Sequence, residues 1–177
     1  MITAKGILNG RGQITGGHKI DMRGDTMNAV MISLDAEQCY DIFRDHKLTA
    51  FINTNILMKP PYHVYVYENK KRYTFKEPLG WAPGWWIEKG KGRGKVIGHF
   101  TCTTAHRDSR GIFLTIRNLR EYDTPASLEN FTQSCQHHAL QNRSCRNCKG
   151  GCRNGKVLTT PPKPVIYVER NIGDMFR

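Results

Sequence analysis

YHVYVY, residues 62–67, reads as a β-strand, because aromatic and β-branched side chains suit a pleated, packed surface. Two runs of similar character follow it, KVIGHFTC at 95–102 and GIFLTI at 111–116. Upstream, NAVMIS at 28–33 is a short apolar run suited to a buried strand, and PVIYVER at 164–170 predicts a last strand that returns to the same sheet. Asp35, with Gln38 three residues on, has the form of a capping box and predicts a helix over 36–44. Its apolar positions Ala36, Cys39, Tyr40, Ile42 and Phe43 recur at three and four, which gives one face to lay on a sheet. FINTNILMKPP at 51–61 is less regular, and Pro60 and Pro61, which supply no backbone donor, end any element there. Thr124 as a helix cap with Pro125 behind it predicts a short helix over 126–131. Together these elements predict an α+β fold: a small mixed β-barrel of five to six strands with two or three short helices packed outside.

Cysteine spacing adds a second constraint. In SCRNCKGGC, residues 144–152, the thiolates of Cys145, Cys148 and Cys152 are spaced to converge on one tetrahedral cation, and Gly150 and Gly151 let the backbone turn tightly between them. The alternative is a set of reduced thiols or a disulfide pair, but a secreted disulfide scaffold would spread its cysteines and follow an apolar signal, which MITAKGILNGRGQITGG does not offer. A structural zinc ion is therefore expected, in a loop over about 132–156. Cys135, His137 and His138 each stand near enough in sequence to be the fourth ligand, and Cys39 or Cys102 would compete if folded close. Cys135 is the choice, since four thiolates form the commonest closed set. Its task is to fold a loop too polar to build a core.

Charge narrows the class of partner. The chain of 177 residues carries a formal net charge of +12, a field that attracts phosphate backbones and acidic protein surfaces. Residues 131–168 hold no Asp or Glu but do hold Arg143, Arg146, Lys149, Arg153, Lys156 and Lys163, so cations share the cysteine loop. A second basic stretch, EKGKGRGK at 88–95, alternates Lys89, Lys91, Arg93 and Lys95 with glycine, so that cations can follow a phosphate backbone. Just upstream, in an irregular insertion over 68–94, Trp81, Trp85 and Trp86 offer flat faces for stacking single-stranded bases, or else cover the end of the barrel. Residues 1–26 read as a flexible or loosely docked arm and 27–177 as one domain, with Met27 a candidate internal start. No stretch approaches the apolar length of a membrane span, and reduced cysteines without a signal sequence place the expected location in the cytoplasm.

In order and spacing, YHVYVY, KVIGHFTC, IRNLREYDTPASLENF at 116–131 and TPPKPVIYVER at 160–170 resemble a group of phage and mobile-element proteins with an ASCH-like, PUA-type fold. The resemblance covers roughly residues 27–170 and is most specific at Leu119, Tyr122, Asp123, Thr124, Pro125, Leu128 and Phe131. It implies a pseudo-barrel capped by the first helix, and a cleft that takes a nucleobase or RNA through a Lys-Thr-x-Glu-x-Arg segment. Counted back from Tyr65 and Tyr67, that segment falls on Lys47, Leu48, Thr49, Ala50, Phe51 and Ile52, so alanine and isoleucine replace the glutamate and arginine. Aliphatic groups neither transfer a proton nor hold an anion. Glu37, Asp41 or Glu77 would have to supply a carboxylate from elsewhere, and His99 reads as half-buried or exposed rather than catalytic.

The expected function is that of a non-enzymatic, zinc-containing protein that binds a nucleic acid or ribonucleoprotein. By the phage-type resemblance it would inhibit a bacterial defence system inside the host cell, as an anti-CRISPR protein acting on an effector nuclease does. The alternatives are an ASCH-type enzyme acting on RNA or a modified nucleobase, a ribonuclease or amidohydrolase with Lys47 as its first catalytic candidate, and a plain RNA-binding module.

Overall fold

The computed structural model describes residues 29–70, 93–135 and 155–169. At its centre β1 (Ala29–Leu34) and β3 (Tyr62–Glu68) lie side by side in parallel, with Val30 level with Val64 and Ile32 with Val66. The chain between them makes the crossover that parallel pairing demands, through α1 (Ala36–Phe43) and β2 (Thr49–Ile52). The antiparallel hairpin β4 (Val96–Arg107) and β5 (Ile112–Ala126) extends the sheet on the β3 side. On the β1 side stand β8 (Val165–Val168), β6 (Thr132–Gln133) and β7 (Lys156–Val157). The order is β2-β5-β4-β3-β1-β8-β6-β7, a mixed sheet of eight strands. Among the described residues α1 is the one α-helix, and the fold is a small α+β arrangement, mostly strand.

Both faces of the central strands are covered, which is why YHVYVY is apolar or aromatic at odd and even positions alike. Tyr62, Val64 and Val66 pack with Val30, Ile32 and Leu34 beneath Cys39, Ile42 and Phe43 of α1. Tyr65 and Tyr67 point the other way and pack with Ala29, Met31, Val96, Phe131, Leu158 and Val168. The sheet thus separates two apolar layers.

α1 begins where the sequence places it. Asp35 accepts a hydrogen bond from the Gln38 amide at 2.9 Å, and the Gln38 side-chain oxygen accepts from the Asp35 amide at 3.4 Å, a reciprocal capping box. Ala36, Cys39, Ile42 and Phe43 are buried on the sheet, while Tyr40 is half-buried at its margin. Asp35→Ala is expected to cost about 1 kcal/mol of stability, measurable as a lower urea midpoint at unchanged slope.

Two details differ from expectation. Among the described residues the strands number eight rather than five to six, because β2, β6 and β7 are short segments that exist by virtue of their partners. The helix expected over 126–131 is instead the end of β5 followed by a single 3-10 turn, Leu128–Asn130. The cause lies in the β4–β5 ladder. Register passes from Val96 opposite Ala126 to Gly98 opposite Glu121, so surplus residues of β5 bulge outward, and Pro125 sits in that bulge, where a missing N–H breaks no ladder bond. Among the described residues, no helix is long and apolar enough to cross a membrane.

Candidate functional site

Two segments outside the described residues, 71–92 and 136–154, connect strands of this sheet, and backbone hydrogen bonds join the described residues that flank each excursion. Residues 71–92 depart after β3 and return before β4. There the Glu68 amide donates to Lys95 O at 3.0 Å and the Gly94 amide donates to Glu68 O at 2.8 Å. Residues 136–154 depart after β6 and return into β7, where the Gly155 amide donates to Gln133 O at 2.8 Å. Gly94 and Gly155 adopt φ of 80° and 72°, left-handed values that glycine reaches without a Cβ penalty. Since β8 is antiparallel to both β1 and β6, β6 points the same way as β1 and β3. The strands that precede the two excursions therefore run in one direction. The described residues hold twelve Lys and Arg against ten Asp and Glu, so ten of the twelve surplus positive charges belong to the other segments.

Of the expected zinc ligands, Cys135 is described. It is buried, directly after β6, where the Ser134 amide donates to Tyr167 O at 2.9 Å and fixes the strand against β8. Cys145, Cys148 and Cys152, with His137 and His138, lie outside the described residues. Cys39 and Cys102 are buried in the layer beneath α1. Burial pushes both thiols up, Cys39 also through the nearby carboxylates of Glu68 and Asp35. The Cys102 Sγ donates to Thr104 O at 3.3 Å. Among the described residues, no group of three or more His, Cys, Asp and Glu is placed to hold a metal ion.

The carboxyl ends of β1 and β3 open into a cleft of about 1090 Å³, the position at which sheets with parallel strands commonly receive ligands. Ser33, Tyr67 and Asn69 come from the strand ends, Asp35 and Gln38 from the start of α1, Glu129 from the turn after β5, and Pro161, Pro162 and Pro164 from the approach to β8. A bond from the Ser33 amide to Pro164 O, 2.8 Å, ties the proline wall to β1. Burial pushes the Tyr67 phenol up, which keeps its hydroxyl protonated. Asp35 and Glu129 are balanced by Lys70 and Lys163, and Asn53 and Asn69 supply amides, so the lining is polar without a dominant charge.

Lys47 stands apart from this cleft, in a recess of about 90 Å³ beside Ala50, Phe51 and Asp41. Its ammonium is 3.0 Å from the Asp41 carboxylate, and more than half of its side chain is exposed. Ala50 and Ile52 point into the core beneath α1, as their apolar character demands. Lys47→Ala is therefore expected to change stability by less than ~1 kcal/mol, checked by thermal melting. Glu37 is exposed on the first turn of α1. Glu77 lies outside the described residues.

His99 corrects the expectation that it is half-buried or exposed. It is 7% exposed, because β4 carries its side chain onto the covered face, where its Nδ1 lies 3.0 Å from the Tyr122 hydroxyl and its ring 4.5 Å from that of His63. Tyr65 bridges this pair to Phe131. The cluster was not foreseen, although His63 and His99 both alternate with apolar residues that face the opposite layer.

Arg93 and Lys95 are exposed where the first excursion returns, and the Arg93 guanidinium donates to Lys70 O at 3.3 Å. Trp81, Trp85, Trp86, Lys89, Lys91, Arg143, Arg146, Lys149 and Arg153 lie outside the described residues, as does the arm over 1–26. Comparison of the chain with models of protein families and with curated proteins gives no match.

Proposed function

We propose that this chain is a non-enzymatic, zinc-containing binding protein that presents two basic excursions from one end of a β-sheet to a nucleic acid or a ribonucleoprotein. The observation that carries this reading is the partition of charge. The sheet and helix are nearly neutral, while ten surplus positive charges lie in the remaining segments, most densely in 71–92 and 136–154, which follow strands that run in one direction. Phosphate-rich partners are attracted by such a distribution, and the neutral cleft does not compete for them. Zinc held by Cys135, Cys145, Cys148 and Cys152 folds the second excursion, and the buried position of Cys135 at its base supports that ligand set. A PUA-like pseudo-barrel is the architecture proposed, supported by three register shifts in the β4–β5 ladder, each of which adds bend and twist. In a phage-type setting, the protein would block a bacterial defence nuclease in the host cytoplasm.

Pull-down from a bacterial lysate, with and without nuclease treatment, tests the partner class. Capture of nucleic acid or a nuclease-sensitive complex is expected. Affinity should fall steeply as salt rises, since each neutralised phosphate of a single strand contributes a slope of about 0.7 in log affinity against log salt. A salt-insensitive complex with a protein alone would overturn the nucleic-acid reading, and turnover of labelled RNA abolished by Lys47→Ala would overturn the non-enzymatic one.

A further inference from the structure

The tip of the β4–β5 hairpin carries a surface that none of the expected binding segments includes. Ile112, Leu114 and Ile116 of β5 are buried, so Phe113, Thr115 and Arg117 project from the opposite face. Phe113 is level with Phe51 on β2, and the two half-buried rings lie 5.0 Å apart at 47°. Thr104 and Thr115 share a hydrogen bond of 2.7 Å across the hairpin on the same face. Thr104, Ala105, His106 and Arg107 are all exposed, as are Arg110 and Arg117.

Arg110 is held rather than loose. Asp108 Oδ1 accepts from the Arg110 amide at 2.7 Å and from the Gly111 amide at 3.1 Å, while Oδ2 accepts from Arg110 Nη2 at 3.1 Å. The hydrogen bond from the Arg110 amide, foremost, holds the Asp108 carboxyl below its ordinary range, so it stays ionised and keeps its grip at neutral pH. This places the guanidinium 5.9 Å from the centre of the Phe113 ring with 74% of the side chain open to solvent. Part of the ordering cost of this one cation is therefore met before any partner arrives.

We infer that this face, built on Phe51, Phe113, Arg110, Arg117 and His106, binds single-stranded nucleic acid by stacking bases on the phenylalanine pair while Arg110 and Arg117 meet the phosphates. The inference rests on the nucleic-acid reading proposed above and deepens it by giving that reading a site within the sheet itself. Two features select the partner. Aromatic faces are useful to unstacked bases, which a duplex keeps hidden. Residues 101–120 hold Arg107, Arg110, Arg117 and Arg120 against the single carboxylate of Asp108, which is suited to a phosphate backbone and unsuited to a basic or neutral protein surface.

The test is fluorescence anisotropy with a labelled uridine oligonucleotide of about twelve nucleotides, titrated at several salt concentrations. Phe113→Leu keeps apolar volume but removes the stack, and is expected to weaken binding roughly tenfold, with Phe113→Tyr restoring it. The double substitution Arg110→Glu and Arg117→Glu is expected to lower the salt slope by about 1.4, two phosphate contacts, with an unchanged melting temperature. If Phe113→Leu does not fold, the surface double variant and Phe113→Tyr still decide. Binding retained by the hairpin variants but lost when Lys89 and Lys91 are reversed would overturn this inference alone. No binding by the unaltered chain, or capture of a protein alone by this face, would overturn it together with the nucleic-acid reading beneath it.

Discussion

Cys148→Ser is expected to release one equivalent of zinc per chain and to open the second excursion to proteolysis between residues 136 and 154. A closed structural zinc site contributes on the order of 10 kcal/mol to folding the segment that carries it, and losing one thiolate of four forfeits most of that. The described structure shows why the damage would spread. The β6–β7 ladder pairs only Thr132 with Val157 and Gln133 with Lys156, too little to persist unaided. Leu158, which follows it, is 2% exposed in the layer with Phe131 and Tyr65. Loosening the base of the excursion therefore exposes part of that layer, and the melting temperature should fall with the metal. Cys102→Ala is the control. Its thiol is buried beneath α1, so the variant should keep its zinc even if it loses some stability. Elemental analysis decides the matter: a zinc-free unaltered protein, or a Cys148→Ser variant with full metal content, sinks the assignment.

Gly98→Val should be the most damaging single change within the described sheet. Gly98 lies in β4 beside a register shift, and a Cβ there would meet the backbone carbonyl of Arg120 and lie 2.7 Å from the Phe43 ring. Neither neighbour can yield cheaply. The carbonyl belongs to the adjacent strand, and Phe43 anchors the end of α1 with 3% exposure. Absence of a side chain at this position is what lets the helix settle on the sheet. A bulky side chain forces helix and hairpin apart, with a cost of about 3 kcal/mol or more and a melting temperature lower by roughly 10 °C. Gly98→Ala should show a smaller loss in the same direction. Calorimetry with unchanged melting for both variants would refute this account of the packing.

How much of this was legible in the sequence depends on where the information for each element resides. Strands β1, β3, β4, β5 and β8 and the helix are encoded by their own residues, through burial and the Asp35–Gln38 cap. β2 takes residues 49–52, and its inward side chains Ala50 and Ile52 have meaning only opposite Leu114 and Ile112. β6 and β7 span two residues each, which no local pattern announces. Pro125 misled because proline after a Thr is at home both at the start of a helix and in a bulged strand, and the choice rests on the distant Val96. As for the site, the cysteine spacing pointed to a ligand set of which the described residues contain Cys135. The Phe51–Phe113 pair, by contrast, joins residues far apart in the chain, and its only local trace is the alternation of GIFLTI.

The left-handed glycines at 94 and 155 carry an evolutionary consequence. Each stands at a neck where the chain re-enters the sheet through main-chain bonds, which do not depend on the side chains strung beyond them. Such necks turn the two basic segments into interchangeable cassettes. Relatives of this protein should be able to trade, lengthen or erase either one, and so change what they capture, while the strands underneath stay recognisably the same.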